Sequence, residues 1–140
     1  MSPAMKRILT RVALIAAVGL GIWLAAWVSN FRANARLAKL NNDIDNLFAG
    51  LQQYKEHVGS YPTGNNAQIV KALLGQNPKN VIILVSRKNE LNEKGELVDP
   101  WGTPLRIYFS DTSVLIRSAG PNGRFDNRTG PDCDDLFWSN

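Results

Sequence analysis

Four aspartates near the C-terminus form the densest group of potential ligands in the chain. They are Asp126, Asp132, Asp134 and Asp135. Carboxylate oxygens are the ligands that hard cations such as calcium prefer. The spacing differs from an EF-hand loop, which begins D-x-D-x-D and has a glycine at its sixth position. Two interpretations stay open: a loop ordered by calcium, or a solvated acidic turn held by hydrogen bonds from aspartate and asparagine side chains.

The other reactive residue types form no recognisable catalytic arrangement. The chain has one histidine, His57, and one cysteine, Cys133. A single cysteine cannot form an intramolecular disulfide, and there is no second thiol for a cysteine-based zinc site. No Ser-His-Asp, Cys-His or metal-histidine arrangement is recognisable in the sequence. We therefore predict that the protein is not an enzyme and that it has no small-molecule substrate.

The motif DPWG at residues 99–102 predicts a tight turn. Pro100 fixes the backbone angle φ, and Gly102 permits a conformation that other residues avoid. The large ring of Trp101 can then be buried against a sheet. We favour this structural interpretation over a role for the indole in stacking against a ligand.

The elements that must position these residues begin with an uncharged apolar run. Residues 12–28 read VALIAAVGLGIWLAAWV, and as a helix they would span about 25 Å, near the lower limit for crossing a bilayer. Trp23 and Trp27 lie toward the end of the run, as residues of an interfacial aromatic belt do. We predict a transmembrane helix over residues 12–31. The alternatives are a signal peptide cleaved near the ANA sequence at 33–35, and a buried core helix.

Basic residues flank the apolar run and account for the net charge of +4. Three precede the run and three follow it: Lys6, Arg7, Arg11, Arg32, Arg36 and Lys39. From residue 40 onward there are ten Lys and Arg against twelve Asp and Glu. The basic excess therefore suits anionic lipid headgroups, and we predict no nucleic-acid partner. Equal charge on the two sides does not orient the helix, but the short basic tail, residues 1–11, favours a cytoplasmic N-terminus.

Residues 32–59, here called the stem, carry an amphipathic helical pattern. Apolar residues recur every three or four positions, which places them on one helix face. They are Leu37, Leu40, Ile44, Leu47, Phe48, Leu51, Tyr54 and Val58. Gly59 is suited to the position after the last helical residue, and Pro62 prevents continuation. We expect the stripe to pack on the core of residues 60–140, here called the head.

The head is predicted to be small and to mix helix with strand. A short helix is expected at residues 67–74 and an antiparallel hairpin at 105–109 and 114–118. The apolar segment 81–85 is either a strand or an edge packed on a helix. The tail from residue 119 is rich in Gly, Pro, Asn and Asp and predicts a loop. The fold class is therefore α+β, with a long N-terminal helix packed on a small antiparallel sheet.

The order of motifs along the head carries a family resemblance. YPT at residues 61–63 is followed by DPWGTP at 99–104, the hairpin, SAGPNG at 118–123 and the pair DD at 134–135. This order resembles the major pseudopilin of type II secretion systems, the G-type subunit, and the wider type IV pilin-like superfamily. The resemblance covers most of the chain, and the combination of DPWG with the later SAGPNG segment is its most specific part.

The resemblance implies that a calcium ion orders the C-terminal loop. In the family, the carboxylate ligands come from the acid of a G-P-D-G turn and from the late aspartate pair, and backbone carbonyls complete the shell. The matching positions here are Asn122, Asp134 and Asp135, with Asp126 and Asp132 as further possible ligands. Asn122 stands where the family has an aspartate, so one negative charge is missing and binding is expected to be weaker. The loop is also longer than usual.

The resemblance also implies a subunit of the bacterial inner membrane whose N-terminal helices pack into a periplasmic fibre. Family members have a glycine before the prepilin-peptidase cut and a glutamate at the fifth mature position. Here residues 8–11 read ILTR, and no acid precedes Asp43. We predict a single-pass structural subunit with a periplasmic head, whose partners are the membrane, other pilin-like subunits and secretion-system proteins. The alternative is a membrane-anchored adaptor that uses a pilin-like head and does not polymerise.

Overall fold

A computed structural model of the chain describes residues 3–84, 90–126, 130 and 133–140. Two helices are followed by three strands: α1 (Pro3–Val58), α2 (Asn66–Leu73), β1 (Arg106–Phe109), β2 (Val114–Ser118) and β3 (Leu136–Ser139). The chain forms two compact units, Met1–Ala38 and Lys39–Asn140. Both helices precede the strands of a small antiparallel sheet along the chain, so the predicted α+β class is confirmed.

The first unit consists of the N-terminal part of α1. Its large apolar side chains are exposed, with Ile15 at 72% and Trp23 at 62% of their full accessible area. One stretch of the described chain, Arg11–Val58, contains a window with mean hydropathy 2.1 and is long enough to cross a membrane, by length and composition only. None of that window is buried. The segment therefore does not form the buried core helix that was one of the alternatives predicted from the sequence. The helix predicted over residues 12–31 is present, and its insertion into a bilayer stays a prediction.

The stem buries its apolar stripe in the core of the second unit. Leu40, Ile44, Leu47, Leu51 and Tyr54 are each at most 5% exposed. Complete burial of an aliphatic side chain of this size stabilises a fold by about 1.5–3 kcal/mol, so the stripe is a major part of the core. The helix ends at Val58, as the glycine that follows it predicted.

Two asparagines at the start of the short helix α2 stabilise it through side-chain hydrogen bonds. Asn65 and Gln68 form a reciprocal capping box, in which each side chain accepts a hydrogen bond from the other residue's backbone N–H. Asn66 donates through its amide nitrogen to the carbonyls of Leu97 and Leu105 and accepts from the N–H of Leu97. A helix predicted at 67–74 is therefore confirmed within one residue, and Asn66 ties it to the segment around DPWG.

The sheet has the order β1-β2-β3, and both strand pairs are antiparallel. The predicted hairpin is confirmed, with Tyr108 opposite Leu115. The tail was predicted to be loop throughout, and this was wrong for Leu136–Ser139, which form β3. The four-residue strand is too short to show a clear alternation in sequence. Its assignment depends on pairing with β2, where Trp138 lies opposite Ile116.

The segment at residues 81–84 lies against a helix and forms no strand. The N–H groups of Ile83 and Leu84 both donate to the carbonyl of Leu73 at the end of α2. Both side chains are partly buried against the core. Of the two interpretations offered by the sequence, the helix-packed edge is the one observed for these residues, and Val85 lies outside the described residues.

Candidate functional site

The candidate site lies in the loop between β2 and β3, whose two ends are held together at Gly120. This residue has φ of +65°, and a Cβ atom there would overlap the carbonyl oxygen of Asp134. Only glycine combines this backbone conformation with such a close approach. The start of the loop therefore lies directly against the aspartate pair that precedes β3.

Asn122 and Asp134, two of the residues predicted as metal ligands, are brought together across the loop. The N–H of Asn122 donates to Asp134 Oδ2 at 2.8 Å. The side-chain oxygen of Asn122 accepts from the N–H of Arg124 at 2.6 Å. This second bond closes an asparagine turn of the kind expected for the solvated acidic turn. Asn122 thus positions Asp134 through its backbone and stabilises the turn through its side chain.

The carboxylate of Asp135 is fully enclosed, with 0% of its side chain exposed. Its Oδ2 forms an ion pair with Arg117, accepting from Arg117 Nε at 2.6 Å and from the N–H of Asp126 at 3.2 Å. The same guanidinium donates to the carbonyl of Asp126. Arg117 on β2 therefore joins the middle and the end of the loop to the sheet.

Three buried carboxylate oxygens have no hydrogen-bond partner among the described residues. They are Asp126 Oδ2, Asp134 Oδ1 and Asp135 Oδ1. A buried acceptor left without a partner typically costs about 1–3 kcal/mol, and more when it is charged. Unpaired carboxylate oxygens are the donor chemistry that a cation requires. The residues present thus fit a bound cation.

A thiol lies among these carboxylates. One ligand atom each from Asp126, Cys133 and Asp135 lies within 4.8 Å of the other two. Two of the five predicted ligands, Asp126 and Asp135, belong to this cluster. Asp134 neighbours it in sequence, and Asp132 lies outside the described residues.

The DPWG turn supports the loop from the other side. Asp99 is only 3% exposed, and its Oδ1 accepts from the N–H groups of Trp101 and Thr103 at 3.1 and 2.9 Å. Its Oδ2 accepts from the Ser118 hydroxyl at 2.7 Å, and Ser118 Oγ in turn accepts from the N–H of Gly120 at 3.1 Å. The turn, the end of β2 and the start of the loop thus share one hydrogen-bond chain.

Trp101 is partly buried and packs against the hydrophobic core. Gly102 has φ of +92°, and its N–H donates to the carbonyl of Asp99. These contacts agree with the structural interpretation of the motif.

Comparison with known proteins identifies the family. The family model described as type II secretion system (T2SS), protein G, matches residues 28–133, which is well over half of the chain. The chain belongs to the type II secretion system protein G family. No match was found among curated proteins or among solved structures.

The protein G assignment confirms the resemblance drawn from the motifs at residues 61–63, 99–104 and 118–123. The match begins at residue 28, inside α1, so it depends on the stem and the head. The family consists of structural pseudopilins of the secretion system and is not an enzyme family. A pseudopilin-like role in secretion follows from this membership.

Sequence reasoning missed three features of this protein G family member. It gave no role to Arg117, although a lone arginine on a strand next to an acidic tail could have indicated an ion pair. It assigned the DPWG turn to its proline, tryptophan and glycine and overlooked Asp99, whose carboxylate accepts three hydrogen bonds. It considered Cys133 only as a partner for other thiols, whereas the structure places its sulfur among carboxylates.

Proposed function

We propose that the protein is a single-pass inner-membrane pseudopilin subunit of a type II secretion apparatus, with its head in the periplasm. The observation that carries this proposal is the change in character along α1. Residues 12–28 contain no charged residue and are exposed throughout, whereas from Leu40 onward the apolar stripe is buried in the head. The N-terminal part of α1 therefore has an exposed apolar surface, and its C-terminal part has an apolar surface that forms the core of the head.

The exposed apolar part of α1 requires a non-aqueous partner. Burial of apolar area is worth about 25 cal/mol per Å², and contiguous exposed apolar surfaces mark sites that contact protein or membrane. Trp27 and Phe31 stack with ring centroids 6.1 Å apart, and Arg32 follows directly. Aromatic rings followed by a cation are typical of the boundary between hydrocarbon and headgroups. This pattern supports insertion of residues 12–31, and the same surface is available for packing against other pilin-like subunits.

The proposal includes a cation that orders the C-terminal loop. Calcium would be held by the carboxylates of Asp134 and Asp135, with Asp126 adjacent and Asn122 at the position of the family aspartate. The unpartnered oxygens of the three aspartates support this assignment. When bound, the ion would neutralise their charge and hold the loop against the sheet.

Orientation can be tested by cysteine labelling in a Cys133→Ser background, which removes the natural thiol. Ser60→Cys places a thiol at an exposed position at the start of the head, and Ser2→Cys places one in the N-terminal tail. A membrane-impermeant maleimide should label Ser60→Cys in intact spheroplasts and label Ser2→Cys only after lysis. The reverse pattern would overturn the proposed orientation, and recovery of both variants in the soluble fraction would overturn anchoring.

A membrane-anchored adaptor that does not polymerise is the second candidate. The observation favouring it is the segment before the apolar run, because residues 8–11 read ILTR and no acid occurs before Asp43. Intact mass of the membrane-extracted protein, with and without a co-expressed prepilin peptidase, separates the two. A peptidase-dependent loss of the N-terminal tail would support the pilus route and exclude the adaptor. An unchanged full-length mass would support the adaptor.

A further inference from the structure

The cysteine at position 133 has surroundings that suit a metal ligand. Its sulfur lies within 4.8 Å of carboxylate oxygens from both Asp126 and Asp135. The Asp135 side chain is fully enclosed, and its Oδ1 has no hydrogen-bond partner among the residues that the structure describes. Asp126 likewise has one buried oxygen without a described partner. Two incompletely satisfied carboxylates therefore surround the thiol.

The charge around the cluster favours a divalent cation. Asp126, Asp134 and Asp135 contribute three negative charges. Arg117 contributes one positive charge through its ion pair with Asp135, and Arg124 contributes a second from the loop itself. The described part of the loop, together with Arg117, thus has a surplus of one negative charge before the thiol is counted. Burying such a surplus without a counter-ion is unfavourable, because desolvated charges require partners.

The donor atoms distinguish between classes of cation. Calcium and magnesium take oxygen ligands almost exclusively, whereas thiolate sulfur selects softer ions such as zinc. Zinc accepts cysteine and aspartate together, usually in a four-coordinate arrangement, with Zn–S about 2.3 Å and Zn–O about 2.0–2.2 Å. One sulfur and two oxygens would provide three such ligands and leave the fourth position for water or a backbone carbonyl. Calcium would leave the sulfur unused.

We propose that Asp126, Cys133 and Asp135 bind a divalent cation of the zinc class, in competition with calcium for Asp135. This inference rests on the proposed cation-ordered loop and concerns which cation the loop takes. The thiol releases its proton to solvent when it binds the metal, and no redox step is involved. Because Cys133 is three residues before Leu136, where β3 begins, zinc would hold the middle of the loop directly against the sheet.

The test uses the full chain in detergent under reducing conditions and compares wild type with Cys133→Ser. Thr112→Ala is the control, because it changes an exposed position outside the loop between β2 and β3 and outside every proposed cation ligand. Zinc should raise the melting temperature of wild type and of Thr112→Ala, and Cys133→Ser should bind zinc at least tenfold more weakly. Cobalt, as a spectroscopic substitute for zinc, should give a thiolate-to-metal charge-transfer band in wild type and no such band in Cys133→Ser.

Equal zinc affinity in wild type and Cys133→Ser, or no zinc binding by wild type, would overturn the proposal. Melting without metal verifies that Cys133→Ser is folded, and Cys133→Ala provides a second thiol-free variant if it is not. Calcium stabilisation of wild type and Cys133→Ser without any effect of zinc would leave the calcium loop standing and exclude the thiol site. Zinc stabilisation that needs Cys133, without any effect of calcium, would support the thiol site and exclude the calcium loop.

Discussion

The Ser118 hydroxyl donates a buried hydrogen bond of 2.7 Å to the carboxylate of Asp99. The two residues belong to different motifs, the DPWG turn and the SAGPNG segment, and lie 19 positions apart. Ser118 also accepts a hydrogen bond from the N–H of Gly120. The two bonds of Ser118 therefore hold the start of the acidic loop against the DPWG turn. The two motifs that identify the family therefore form one structural unit.

Replacing Asp99 should destabilise the head strongly. Asp99→Ala leaves the N–H groups of Trp101 and Thr103 and the Ser118 hydroxyl without their acceptor, and we expect a loss of about 2–4 kcal/mol in the free energy of unfolding. Denaturant unfolding of the full chain in detergent measures this loss. Asp111→Ala, at an exposed position in the β1–β2 turn, is the control and should change stability by less than about 0.5 kcal/mol. Equal effects of both substitutions would contradict the role assigned to Asp99.

Gly120 should not tolerate even a methyl group. Gly120→Ala places a Cβ against the Asp134 carbonyl in a left-handed backbone conformation, which should cost about 1–3 kcal/mol. Gly130→Ala is the matched control, because no atom of the described residues lies within 4 Å of the position of its Cβ and its φ is not positive. Thermal melting of the two variants should show a lower melting temperature for Gly120→Ala alone. A normal melting temperature for that variant would show that the loop ends can separate freely.

Removing the Arg117 side chain should be costly and should increase the need for a cation. Arg117→Leu leaves the buried Asp135 carboxylate without its ion-pair partner, and breaking a buried pair in this way costs about 3–5 kcal/mol. Arg106→Leu, directly opposite on β1, is exposed and should have a smaller effect. We expect a divalent cation to restore more stability to Arg117→Leu than to wild type. A melting temperature for Arg117→Leu that is independent of added cation would contradict this.

Calcium should raise the melting temperature of the full chain relative to a chelator, by binding the folded loop in preference to the unfolded chain. Asn122→Asp adds a negative charge to a proposed calcium ligand, and it should strengthen calcium binding by about tenfold, since affinity rises with ligand charge. Asn42→Asp, an exposed change on α1, controls for net charge. An identical response to calcium in wild type and Asn122→Asp would remove residue 122 from the ligand set.

The buried stripe of the stem should determine the stability of the head. Ile44→Ala removes a side chain with 0% exposure from the core, and substitutions of this kind cost about 2–5 kcal/mol. Leu37→Ala provides the comparison, because Leu37 belongs to the same sequence pattern but is 38% exposed. Denaturant unfolding should separate the two variants by at least 1 kcal/mol, a difference that follows from burial alone. Similar losses of unfolding free energy in the two variants would show that Leu37, on the N-terminal side of Leu40, also packs in the core.

Most of the fold could be predicted because its signals are local. The helical pattern from Leu40 to Val58 repeats every three or four residues, and Asn65 and Gln68 have the spacing of a capping box. The hairpin alternates within each strand and has polar residues between them. The short strand β3 could not be predicted in this way, because its four residues carry no turn signal of their own and pair with β2 only after the long loop has returned.

The sequence by itself determined the α+β class, the position of the apolar helix, the family and the aspartates that could hold a cation. The fold class and the helix follow from residue type and periodicity, and the candidate ligands follow from residue type. The family follows from a resemblance in the order of motifs, which the family model confirms. Only the tertiary structure decided that Asp135 pairs with Arg117, that Asp99 supports Ser118, and that Cys133 lies with Asp126 and Asp135. Each of these contacts joins residues separated by a turn or loop, and chain separation does not encode which side chains meet when the loop closes on the sheet.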